Sequence, residues 1–186
     1  ILFVSEGKAK LWARQLLRSV IIRLVATLPS QTATFTFFDP YGVGANFVFD
    51  KLPSLLRGEH VLTKGDELND ALMKMQQAQL DEGMYQILGL ADFPSRINAD
   101  SAKLISQIAQ SEAGARKMII AHVDADIAFP EGYNLDQFTS HAHVVYLNET
   151  TTHITIDNQQ FTFMPDTEPN PQLLDEILHQ VRQKYA

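Results

Sequence analysis

The residues able to do chemistry in this sequence begin almost at once. Ser5-Glu6-Gly7-Lys8-Ala9-Lys10 separates an apolar run, Ile1-Leu2-Phe3-Val4, from a long helical pattern between Leu11 and Leu28. Strand, tight loop and helix in that order are the parts of a phosphate-binding loop. In such a loop backbone N–H groups curl round the phosphates, a lysine reaches the outer ones and a hydroxyl holds magnesium. The full motif is G-x-x-x-x-G-K-[ST]. Only Gly7 and Lys8 survive of it, and Ala9 stands where the hydroxyl belongs. Gly7-Lys8 reads as a phosphate contact at a helix N-terminus or as an ordinary turn with solvated lysines, and the lost residues favour the turn.

A second group offers metal chemistry. His122, Asp124 and Asp126 follow one apolar run, and His141 and His143 lie before or at the start of the next. Histidines and carboxylates gathered at a sheet end bind zinc or manganese and activate water. The spacing of His141 and His143 puts both rings on one face of an extended strand. The competing reading has His122 inside the sheet and Asp124 to Asp126 as a solvated loop. Asp39, before Pro40, and Asp92, close before Pro94, sit where strands end, which is where open α/β sheets bind ligands. Each is equally suited to an Asx turn. Serine catalysis has no G-x-S-x-G elbow to rest on, since Ser5 precedes Glu6-Gly7. Phe35, Phe37 and Phe38 have the side chains of a base-stacking platform, but they occupy a central strand pattern and read as core.

The elements that must position these residues alternate between strand and helix. The first helix carries Leu16/Leu17, Val20/Ile21, Leu24/Val25 and Leu28, a wide stripe that needs burial on much of its circumference, and Pro29-Ser30 ends it. Strands follow at Thr34 to Phe38, at Glu59 to Leu62, at Met84 to Ala91, at Lys117 to Val123 and at His143 to Leu147. Asp66 is the expected N-cap of a helix through Leu68, Leu72 and Met75. Asn98 caps another that turns Leu104/Ile105 and Ile108/Ala109 to the sheet, with Gly114 at its C′ position. Thr152 to Ile156 and Gln160 to Met164 alternate about Asp157-Asn158 as a hairpin. Asp166 to Pro169 reads as a linker, and Asn170-Pro171 opens a last helix with Leu173/Leu174, Ile177/Leu178 and Val181 on one face. The pattern is that of an α/β domain with a mainly parallel central sheet and a C-terminal β-hairpin edge.

Composition narrows the function. With 186 residues the chain suits one domain, and its 45% hydrophobic and 20% charged residues are ordinary for a globular protein. The absence of cysteine excludes disulfides, thiolate metal sites and cysteine nucleophiles. A net charge of −7 argues against a broad nucleic-acid-binding face. No apolar run approaches the roughly 20 residues that span a bilayer. The chain begins with Ile and is read as part of something longer.

Taken in order, three stretches resemble the motor domain of FtsK/SpoIIIE-type DNA translocases. They are the helix into Phe37-Phe38-Asp39-Pro40, the strand into Ala91-Asp92-Phe93, and the helix–strand unit from Leu104 to Asp124. The run Phe38-Asp39-Pro40-Tyr41-Gly42-Val43-Gly44-Ala45-Asn46-Phe47, and Gly132-Tyr133-Asn134-Leu135 after the acidic loop, are similar to the family's divergent modules that stand in tandem with an intact motor. The resemblance implies a three-layer P-loop/RecA-like fold over residues 1–165, with residues 166–186 as linker and helix leading to a following module. It puts Ala91 and Asp92 at the two Walker B acids, so the magnesium acid is lost and Asp92 alone remains. It makes Gly7, Lys8 and Asp39 a vestigial nucleotide site that holds ATP and magnesium weakly. The span from Leu68 to Gly83 is short for the family: either this member is shorter or residues are lacking between Leu80 and Gly83. The implied role is a non-hydrolysing, cytoplasmic module that packs beside neighbouring ATPase domains, supports a homo-oligomeric ring and meets DNA only through its parent protein. Two alternatives stay open: a metal-dependent hydrolase on the His122/Asp124/Asp126/His141/His143 group, and an atypical ATPase completed in trans by a donor such as Arg96 or Arg116.

Overall fold

The apolar runs become one eight-stranded sheet. The structure, a computed structural model, describes residues 1–29, 32–42, 61–111, 116–149, 152–156, 159–163 and 170–185. The strands are β1 (Leu2–Ser5), β2 (Ala33–Phe38), β3 (Val61–Leu62), β4 (Tyr85–Phe93), β5 (Lys117–Asp124), β6 (Val144–Leu147), β7 (Thr152–Ile156) and β8 (Gln159–Phe163). Their order across the sheet is β3-β2-β4-β5-β1-β6-β7-β8. The pairs from β3 to β6 are parallel, while β6–β7 and β7–β8 are antiparallel. The hairpin register pairs Ile156 with Gln159, which matches the expected edge.

Side-chain alternation along the strands splits the core between two faces. Phe3, Phe35, Phe37, Ile87 and Ile120 face one side, against Ala13, Leu17, Ile21 and Val25 of α1 (Lys10–Thr27) and Leu174, Leu178 and Val181 of α5 (Pro171–Tyr185). Leu2, Val4, Phe38, Leu88 and Val123 face the other. There they meet α2 (Gly65–Gln77), α3 (Ala99–Gln110) and the short α4 (Leu135–Thr139) through Leu68, Leu72, Ile105, Ile108 and Phe138. This is the three-layer α/β architecture, and Phe35, Phe37 and Phe38 are core, each at most 1% exposed. Helix α5 is thereby part of the same core as α1. Among the described residues no helix is long and apolar enough to cross a membrane.

Local signals held where a short polar side chain could reach a free N–H. The Asn98 side chain accepts from Ser101 N, and that of Asn170 from Leu173 N. Asn134 and Gln137 form a reciprocal capping box at α4. Asp66 is not a cap: α2 starts at Gly65 with Lys64 in the N-cap position, and Glu67 reaches back to Thr63 N at 3.4 Å. Asp66 instead sits in the first turn, where its charge suits the helix dipole. Ala109 is exposed rather than facing the sheet, because α3 turns Ser101 and Ala102 inward with Ile105 and Ile108. Leu173 is likewise exposed. Helix α3 ends at Gln110 and is capped by Ser111, before Gly114. The link from α2 to β4 is short and tied down, with Arg116 Nη1 donating to the carbonyls of Leu80 and Asp81. Ser30, Gly44, the run from Val43 to Phe47, Glu59, Gly114, Asp157-Asn158 and the Asp166 to Pro169 linker lie outside the described residues.

The start of α2 bears on the strand-end loops. A Cβ on Gly65 would stand 2.6 Å from the carbonyl oxygen of Arg96, a backbone atom with no freedom to swing away. Gly65→Ala is therefore expected to destabilise by about 1–3 kcal/mol, read as a lower urea midpoint. An unchanged midpoint would contradict the close approach.

Candidate functional site

The charged residues converge at the carboxyl ends of β1, β5 and β4. After β1 the chain turns through one 3-10 turn, Gly7–Ala9, into α1. Gly7 has φ 55, a left-handed conformation that glycine takes without strain. Helix α1 begins with no side-chain cap and no acidic residue in its first turn, while Lys10 stands at its start. Both conditions are unfavourable at the positive end of a helix. The turn after β5 resolves them. Lys10 Nζ lies 2.8 Å from Asp124 Oδ1 and 2.9 Å from Asp126 Oδ2. Gly7 N donates to the same Asp126 Oδ2 at 3.1 Å. Ala125 N donates to Ser5 O at 2.9 Å, and Asp126 N to Asp124 Oδ1 at 3.0 Å, which ties the acidic turn to the end of β1. A carboxylate of the protein thus accepts from the backbone N–H at the start of the loop. Asp124 and then Asp126 raise the pKa of Lys10. The ammonium of Lys10, followed by the Gly7 N–H, holds the Asp126 carboxyl below its ordinary range.

Beside this turn runs a chain of four residues, three of them buried and Arg14 half-buried. Arg14, one helical turn beyond Lys10, grips Asp92 with two hydrogen bonds, Nε to Oδ1 and Nη2 to Oδ2, both 2.8 Å. His122 Nδ1 lies 2.8 Å from Asp92 Oδ1, without the alignment of a hydrogen bond. On its far side, His122 Nε2 is 2.8 Å from Ser5 Oγ. Ser5, His122 and Asp92 are all buried. Asp92 reaches this position through a left-handed backbone, φ 51, which breaks the β4–β5 register between Leu90 and Phe93. Burial pushes the Asp92 carboxyl up, but His122 and then Arg14 outweigh it and hold the group below the usual carboxylate range. The order serine, histidine, aspartate invites comparison with a nucleophilic triad. Ser5 is only 2% exposed and Asp92 is already neutralised by Arg14, so the chain acts as a crosslink between β1, β5, β4 and α1.

The five candidate metal ligands are not brought together. Asp124 and Asp126 stand at the carboxyl end of β5, level with Ser5, whereas His143 precedes β6 level with the start of β1. At about 3.3 Å per residue the two ends are roughly 13 Å apart. His122 points into the buried chain instead. Among the described residues no cluster of three histidine or acidic side chains has metal-site geometry. Asp39 forms an Asx turn, accepting from Tyr41 N at 3.0 Å. Strands β4 and β5 separate it from β1, so at about 4.8 Å per strand it lies roughly 14 Å across the sheet from Gly7-Lys8. Ala91 is fully buried against the α1 side of the core. Arg116 serves carbonyls of its own chain, while Arg96 is exposed, its guanidinium 6.0 Å from the centre of the Tyr41 ring.

No protein-family model and no curated protein matches the sequence. Solved structures do match. EssC ATPases 2 and 3 from Geobacillus thermodenitrificans superpose with a TM-score of 0.66 at 12% identity, over 99% of this chain and 44% of that one. The cytoplasmic domain of EssC gives 0.64 at 11% identity, over 99% and 44%. The cytoplasmic domain of the type VII secretion ATPase EccC from Thermomonospora curvata gives 0.60 at 15% identity, over 97% and 28%. The fold is a three-layer P-loop/RecA-like α/β domain, as in these ATPase domains. This chain spans less than half the length of the ATPases it superposes on.

Sequence reasoning about this ATPase-fold domain missed Lys10, Arg14 and the part played by Ser5. A signal for the first two was present: an uncapped helix start with Lys8, Lys10 and Arg14 and no acid is an electrostatic conflict that asks for an acidic partner. Nothing local named Asp92 and Asp126 as the partners.

Removing Arg14 tests the buried chain. Arg14→Met leaves Asp92 with one weakly aligned partner and is expected to cost about 3 kcal/mol at neutral pH. The sign of the pH dependence follows from Asp92, which holds its proton less tightly when folded than when unfolded. Its contribution is complete above the ordinary aspartate value of about 3.9 and is lost as the pH falls through the folded value below that. The deficit of Arg14→Met should accordingly shrink as urea denaturation is repeated from pH 7 towards pH 3. A pH-independent deficit would exclude Asp92 as the cause.

Proposed function

We propose that this chain is a non-hydrolysing ATPase-fold module of a larger ATP-driven machine, with a role in assembly or regulation. The observation that carries this reading is the Asp126 carboxylate bound by Gly7 N and Lys10, at the loop where hydrolysis would need phosphates. Three features support it. The loop has lost its outer glycine and its hydroxyl. Ala91 removes one acid of the metal pair, and Asp92, the other, is bound by Arg14. A magnesium–triphosphate would have to displace ion pairs within the protein before any chemistry began.

The partners follow from the same reading. In this reading the module packs beside ATPase domains of its own parent, in a cytoplasmic assembly that forms a homo-oligomeric ring; the EssC structure it superposes on likewise holds more than one ATPase, numbered 2 and 3. In the translocases the sequence resembles, the cargo is DNA, and in the EccC neighbour the machine is a secretion ATPase. A balance of −7 disfavours contact between this module and a phosphate backbone, so DNA would be handled by another part of the parent. Magnesium and ATP are at most weakly held, with Gly7 and Lys8 as the remnant contacts.

The purified chain should show no magnesium-dependent ATP turnover above background, and Lys8→Ala should leave that background unchanged. Turnover that Lys8→Ala abolishes would replace this reading with that of an atypical active ATPase.

A further inference from the structure

The two outer strands of the sheet end it differently. At one side β3 has two residues, too few to offer another strand a ladder, and at the other β8 has five. Among the described residues β8 is paired only with β7. Hydrogen bonding alternates along an antiparallel ladder, so every second residue of β8 turns its N–H and C=O away from β7. Gln159, Gln160, Phe161 and Thr162 are all exposed, Phe161 by 48%. The strand also lacks the usual protections of an edge. It has no lysine or other charge, no proline, and an unbroken register from Ile156–Gln159 to Thr152–Phe163.

Charge selects what can pair with this edge. The chain carries −7, so two copies repel unless they meet where charge is absent. Leu11, Trp12, Met73 and Leu173 are exposed apolar residues too, but each has a charged residue within two positions. Phe161 has none, and β8 holds no ionisable side chain at all. The strand is also complementary to itself. A two-fold axis through Phe161 sets Gln160 opposite Thr162 of a second copy, Gln159 opposite Phe163, and Phe161 opposite Phe161. A directly opposed aromatic pair is favourable between antiparallel strands.

We propose that the outer edge of β8 pairs antiparallel with β8 of a second copy, making one sheet continuous through two copies. Backbone hydrogen bonds form the contact and the Phe161 pair covers it. A two-fold contact joins copies in pairs, so it goes beyond the ring proposed above, which needs head-to-tail contacts. One five-residue strand buries far less than the roughly 1,200–2,000 Å² of a stable interface. The pair is therefore weak and forms at high protein concentration.

Sedimentation of the full chain should show reversible, concentration-dependent pairing between about 1 µM and 1 mM, the range of weak association. Phe161→Lys sets like charges opposite each other at the axis and should abolish that pairing. Its urea midpoint should stay unchanged, because Phe161 is exposed. The chain has no cysteine, so one introduced thiol reports on one place. With diamide as oxidant, Phe161→Cys should form a disulfide-linked dimer roughly tenfold faster than Leu173→Cys, since directly opposed Cβ atoms lie close to disulfide range. Leu173 is exposed to a similar extent on α5 and serves as the control. A chain that stays monomeric up to about 1 mM would overturn the β8 pairing. So would association that persists undiminished in Phe161→Lys, or equal cross-linking rates at the two positions.

Discussion

A buried carboxylate must be neutralised, and the arrangement of this domain's strand-end edge follows from how Asp92 meets that demand. It lies in the middle of the sheet at the end of β4, and burial alone would drive its charge out. Two bonds from Arg14 and the approach of His122 keep it ionised. The cost is a left-handed backbone at Asp92 and a broken register at the end of β4. In return, α1 is fixed over the sheet by a bidentate contact, and β1, β5 and β4 are joined through side chains at their carboxyl ends. Breaking such a pair on one side costs far more than the pair itself contributes, so the four residues stand or fall together.

The same economy governs the loop after β1. Helix α1 enters with cations at its positive end, a poor local arrangement, and Asp124 and Asp126 correct it from another strand. The two carboxylates differ in setting: Asp124 is buried against Ser5, while Asp126 is half exposed and is the one on the Gly7 amide. The loop after β1 and the turn after β5 are thereby joined by groups of the chain itself, through Lys10 and the Gly7 amide.

Much of this was legible in the sequence. Runs such as Thr34 to Phe38 and Lys117 to Val123 are too apolar to be anything but buried parallel strands, and Asn98 and Asn170 announce their helices through contacts within three residues. Asp66 misled because two candidate acids lie side by side and Glu67 has the longer reach. Ala109 misled because an alanine at the edge of a helical stripe gives almost no energetic preference for either face. The candidate site was legible only as a set of residue types. His122, Asp124 and Asp126 were recognised as important, but joining them to His141 and His143 overlooked strand direction, which sends the two histidines to the opposite edge of the sheet.

What the sequence determined by itself was the alternation of strands and helices, the mainly parallel sheet with its hairpin edge, and the absence of a complete G-x-x-x-x-G-K-[ST] motif, since each depends on short-range periodicity or on residues adjacent in the chain. Only the tertiary structure decided that Lys10 meets Asp124 and Asp126, that Arg14 meets Asp92, and that His122 bridges Ser5 and Asp92. The hydrogen-bonded pairs Arg14–Asp92 and Ser5–His122 are separated by 78 and 117 residues. Their meeting is set by the order of parallel strands, in which β5 lies between β1 and β4. Electrostatic attraction has no periodicity for a sequence to display, so the bond from Gly7 to Asp126 could be seen only once the sheet had placed the two together.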